Sequence, residues 1–111
     1  MQEYTSSYKK KYPKLYYFFS SSFHQDWILC HDWKEKKPDW KVAVTFFMRN
    51  NPEKSVTQAT KELEQLLSED LNDNLFEEAL DELRSNIYAP GLGYKTYRAW
   101  AEDILEVLKK S

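Results

Sequence analysis

A chain of 111 residues with 16 Lys+Arg, 18 Asp+Glu and a net charge of −2 is the size of one domain with one core. Its lone Cys30 excludes an intramolecular disulfide and any multi-cysteine zinc or iron–sulfur site; no apolar run is long enough for a membrane span. Met1-Gln2-Glu3-Tyr4 is no basic-then-apolar leader, and a cytoplasmic protein is expected.

In chain order, residues 1–12 (MQEYTSSYKKKY) are polar and basic with no hydrophobic period, the pattern of a flexible basic N-terminal arm. A single α-helical domain is expected over 13–111. Pro13 suits a first helical turn, and Leu15, Tyr16, Phe18 and Phe19 cluster behind it, so a short helix is predicted from about 13 to 21. Ser20 to Trp27 reads as a turn carrying Phe23 and Trp27 as anchors, followed by Ile28, Leu29, Cys30 and a charged loop from His31 to Pro38. Residues 40–48 fit two periods. Val42, Val44 and Phe46 alternate as in a strand, whereas Trp40, Ala43, Val44, Phe47 and Met48 follow helical spacing. Asp39 as N-cap and Arg49 at the far end favour the helix.

Asn51-Pro52-Glu53 opens the next helix in the order cap, proline, acid, with Val56, Ala59, Thr60, Leu63, Leu66 and Leu67 as its apolar stripe. Asn72 should cap another, whose stripe is Phe76, Ala79, Leu80, Leu83 and Ile87. Pro90-Gly91-Leu92-Gly93 holds both glycines of the chain and breaks the pattern. Thr96 then starts a last helix with Tyr97, Trp100, Ala101, Ile104, Leu105 and Leu108 inward. The expected fold is all-α, a compact single-domain helical bundle of about five helices. The shortage of glycine, with few positions cheap at positive φ, also disfavours hairpin-rich β folds, phosphate loops and dinucleotide motifs.

His24, Asp26, Cys30, His31 and Asp32 lie close in sequence, yet match no zinc spacing. Adjacent Cys30 and His31 point apart in helix or strand and make no nucleophile–base pair. No catalytic residue, metal site or cofactor is therefore expected, and the chain is read as a non-enzyme. Lys9, Lys10, Lys11, Lys14, Lys34, Lys36, Lys37 and Lys41, interleaved with Tyr and Trp, have the composition of a nucleic-acid strip. The pI of about 5.7 and the lack of an RNP, KH or helix-turn-helix signature count against it. Neither nucleic acid nor membrane is an expected partner.

The near-neutral total hides an asymmetry. Residues 1–51 carry nine basic and five acidic side chains, and residues 52–111 carry seven and thirteen. Within 62–82 stand nine acids and no base. Glu62, Glu69, Asp73, Glu77, Asp81 and Glu82 are placed off the apolar stripes. Glu77–Asp81 and Glu78–Glu82 are like-charge i,i+4 pairs, each costing a few tenths of a kcal/mol. A solvated helix face is one reading; a negative docking surface for a basic protein is the other.

Tyr12-Pro13-Lys14-Leu15-Tyr16-Tyr17-Phe18-Phe19 followed by Phe23-His24-Gln25-Asp26-Trp27 forms an opening signature, with Glu62-Leu63-Glu64-Gln65-Leu66-Leu67 and Tyr97-Arg98-Ala99-Trp100 downstream. In order and spacing, residues 12–108 resemble the small helical immunity proteins of bacterial contact-dependent growth inhibition systems. The resemblance implies a protein that binds the C-terminal toxin domain of a cognate CdiA effector one-to-one in the cytoplasm and protects the producing cell. Such toxins are often nucleases, whose phosphate-binding sites are basic, and a basic nuclease domain is the partner expected here. The segment His31 to Lys37 departs from the pattern by being more basic. Phe23 and Trp27 are expected to be structural. The toxin-binding residues expected are Glu69, Asp70, Asp73, Glu77, Glu78, Asp81 and Glu82, with Asp26 and Asp32 as secondary candidates. The alternative is a generic helical adaptor using the same acidic face.

Overall fold

The computed structural model describes residues 7–24, 27 and 39–110. They form six helices: α1 (Ser7–Lys11), α2 (Pro13–Ser22), α3 (Trp40–Arg49), α4 (Glu53–Ser68), α5 (Asp73–Glu82) and α6 (Tyr97–Lys109). A 3₁₀ turn, Ala89–Leu92, precedes α6, and no strand occurs among the described residues. The fold is all-α and single-domain, with one helix more than the approximate sequence count.

Burial settles the two-fold ambiguity of residues 40–48. Trp40, Ala43, Val44 and Phe47 are buried while Val42 and Phe46 are 43% and 53% exposed, which is helical and not strand alternation. The expected caps at Asp39, Asn72 and Thr96 each accept a backbone N–H of the first turn, from Lys41 at 2.9 Å, Leu75 at 2.9 Å and Ala99 at 3.0 Å. The expected cap at Asn51 is corrected. Pro52 stands at the N-cap of α4 without a side-chain bond, and Asn51 reaches backward, its Nδ2 donating to the Phe47 carbonyl at 2.9 Å. It closes α3 and does not open α4.

The stretch read as an arm over 1–12 is helical across Ser7–Lys11. Tyr8 and Tyr12, one turn apart, stack with centroids 6.4 Å apart, and Tyr12 is buried. Two aromatic rings on one side supply apolar area that the polar composition conceals. Helix α1 packs against α2 and α5.

At the start of α2, Tyr12 gives no side-chain cap. Glu62 of α4 does that work: it is 4% exposed, and its Oε1 accepts the Leu15 N–H at 2.8 Å while Gln58 donates to Oε2 at 3.1 Å. Its placement off the apolar stripe is therefore overturned. Glu62 lies three residues after Ala59 and four before Leu66, so it shares their face, and burial is compensated by the N–H groups it receives.

Helix α6 packs against α3, α4 and α5 and carries the centre of the core. Trp100 is fully buried, with the rings of Phe23, Phe19 and Trp40 at 5.3, 6.2 and 6.2 Å. Phe18 bridges Phe19 and Phe47 edge-on. The anchors Phe23 and Trp27 are both buried and in contact at 5.5 Å. The Trp100 indole N–H finds no acceptor among the described residues. Helix α5 stops short of Ile87: Arg84 takes a positive φ of 72°, and the Ser85 N–H closes the last turn on the Leu80 carbonyl at 3.0 Å.

Candidate functional site

The nine acids of 62–82 do not form one free surface. Folding gives four of them internal partners. Glu62 caps α2 from within the core, and Glu64 pairs with Lys109 on the surface at 2.9 Å. Glu69 receives the Tyr12 hydroxyl and the Lys11 ammonium, the latter at 2.9 Å. Burial alone would raise the Glu69 carboxyl, but these two donors outweigh it and hold the pKa below its ordinary value. Asp73 accepts the N–H groups of Tyr97 at 3.0 Å and Arg98 at 3.3 Å, so it caps α6 from the first turn of α5. Arg98 completes this joint. Its Nη2 donates to the Glu69 and Leu71 carbonyls at 3.1 and 3.2 Å, and its guanidinium lies 5.0 Å from the Phe76 ring centroid.

Glu82 is half-buried, with one carboxylate oxygen unpartnered. Asp70, Glu77, Glu78 and Asp81 are exposed, and their carboxylates make no hydrogen bond or ion pair among the described residues. The last three share the outer side of α5, because its inner side is taken by Phe76, Ala79 and Leu80. Of the residues expected to bind a partner, the structure thus brings Glu77, Glu78 and Asp81 together as free carboxylates and gives Glu69 and Asp73 structural duties. Asp26 and Asp32 lie outside the described residues.

The free carboxylates border a concavity of about 570 Å³ between α5 and the segment 85–88. Ser85, Tyr88 and Tyr97 line its other side. Burial, and after it the neighbouring Glu77 carboxylate, pushes the Tyr97 phenol above its ordinary value. Tyr88 is 69% exposed. Neither Ser85 nor Tyr88 was an expected site residue; the only sequence signal was an aromatic side chain just ahead of the Pro90–Gly93 breaker. Among the described residues no three His, Cys, Asp or Glu side chains converge as metal ligands would. No described helix is long and apolar enough to cross a membrane.

What the geometry defines is a small helical bundle with an unpaired acidic strip on the outer side of one short helix. Residues 11–108 match the family described as CdiI immunity protein, and the chain belongs to that family. Neither the curated proteins nor the solved structures yield a significant match.

Proposed function

We propose that this protein neutralises the C-terminal toxin domain of a cognate CdiA effector in the cytoplasm, through a one-to-one complex in which the outer side of α5 meets a basic surface of the toxin. The observation that carries the reading is the strip of Glu77, Glu78 and Asp81, exposed and unpaired in a family of immunity proteins. Like charges spaced at i, i+1 and i+4 are retained at a cost in helix stability, which an electrostatic role in partner association repays. A toxin that cleaves nucleic acid presents the complementary sign, because phosphate binding demands basic side chains. The reading is therefore a nuclease inhibitor that acts by binding and occlusion.

The test is co-expression with the toxin domain encoded immediately upstream. Growth is restored by the native chain and lost when Glu77, Glu78 and Asp81 are all changed to Lys, with helical content unchanged because all three side chains point to solvent. Full protection by the triple variant would remove α5 as the docking face. Failure of the native chain to protect would remove the toxin-neutralising function and favour a general adaptor. Replacement of His24, Asp26 and His31 by Ala leaves protection intact if no catalysis is involved.

A further inference from the structure

We propose that the concavity between α5 and the segment 85–88 is a socket for one arginine side chain of the partner, held by Glu77, Asp81 and the Ser85 hydroxyl beside the Tyr88 ring. That the arginine belongs to a toxin domain rests on the function proposed above; the socket itself rests on three observations.

The first is an orphan. Ser85 is 7% exposed, lines the concavity, and its Oγ has no hydrogen-bond partner among the described residues. Buried hydroxyls without partners are uncommon in folded proteins, and each is destabilising. A donor entering the concavity satisfies it once the hydroxyl rotates about its Cα–Cβ bond to face the opening. The second is charge. Glu77, Glu78 and Asp81 line the same space, and no Lys or Arg is among its described lining residues. The adjoining smaller hollow, which Ser85 and Asp81 also border, already contains Arg84, so the larger one is the side left uncompensated. The third is the exposed ring of Tyr88, which offers a face to a flat cation.

These features select arginine over lysine. The acceptors come from different elements, α5 and the segment after it, and a planar fork of five N–H donors meets several at once while stacking on a ring. A lysine ammonium is a strongly hydrated point charge and does neither as well. The volume of about 570 Å³ exceeds what one guanidinium fills and leaves space for its aliphatic stem.

The experiment titrates the full ¹⁵N-labelled chain with N-acetyl-arginine methylamide and, separately, N-acetyl-lysine methylamide, following backbone amide shifts. Saturable shifts confined to residues 77–88, at least about fivefold tighter for the arginine probe, are expected. Asp81→Asn should weaken binding several-fold, and so should Ser85→Ala, which removes an unpaired buried hydroxyl and leaves the fold intact. Equal binding of both probes, shifts elsewhere, or indifference to both variants would overturn the socket. The same variants measured against the toxin domain separate the two readings. Full-affinity binding of the toxin by Asp81→Asn and Ser85→Ala refutes the socket and leaves the proposed function standing. Arginine binding as expected without any toxin complex refutes that function and leaves the socket.

Discussion

Glu62 carries the clearest single-residue consequence. A carboxylate in the middle of an apolar stripe is tolerated because it supplies the cap that Tyr12 does not, across 47 residues of sequence. Glu62→Leu should therefore destabilise the protein by about 1–3 kcal/mol despite adding apolar area, since the Leu15 N–H is left buried without an acceptor. Glu62→Gln keeps an acceptor oxygen and should lose less; urea unfolding of the three proteins measures the order. Arg84 predicts the opposite sign. At φ 72° it occupies a conformation that glycine adopts freely, so Arg84→Gly should be neutral or stabilising by up to about 1 kcal/mol in the same assay.

At the scale of elements, α1 is latched to the α4–α5 corner through Tyr12, Lys11 and Glu69. The Glu69 pKa is lowered on folding, so its contribution is fully present above the unfolded value of about 4.5 and is lost as pH falls through the lower folded value. Amide exchange across Ser7–Lys11 should accelerate in that acidic window before the rest of the helices, and Tyr12→Phe should blunt the effect. Exchange that rises uniformly across all helices would contradict the latch. In base the direction reverses. Burial first, and then the hydrogen bond to Asp103, moves the Tyr94 phenol up to about 12. Its contribution is complete below pH about 10 and disappears towards 12, where a delayed tyrosinate absorbance step should coincide with loss of helix.

Helices α4 to α6 were legible because ten or more residues repeat an apolar period and two of the three start on a capping side chain. Helix α1 was not, because its apolar contact comes only from Tyr8 and from Tyr12 just beyond its end, in a lysine-rich string. The fate of the acids was illegible for a different reason. Lys11 and Glu69 are 58 residues apart, Asp73 and Tyr97 24 apart, and no local period announces a partner at such distances.

Across the whole molecule, the basic first half and acidic second half partly compensate each other, since α1 rests on the α4–α5 corner. What escapes compensation is narrower than the sequence total, and the salt response should be narrow too. Asp81→Asn should slow association with a basic toxin domain several-fold at low ionic strength, and the difference should shrink above about 0.15 M salt. Glu64→Gln, which removes only an acid already paired with Lys109, should change the rate by less than about twofold. Stopped-flow association rates decide between a local strip and a diffuse negative field.

Asp73 and Arg98 bind the acidic helix to α6 from behind, and Trp100 of the same helix fills the centre of the core. In the order of synthesis α6 comes after every other described helix. A nascent chain that has emerged through α5 therefore carries all three free carboxylates on a ten-residue helix too short to persist alone. It lacks both the clamp and the central ring that would hold that helix in place. The strip should therefore take a fixed position only once α6 has folded against α5, and a chain cut before Thr96 should lose the α5 helix by circular dichroism.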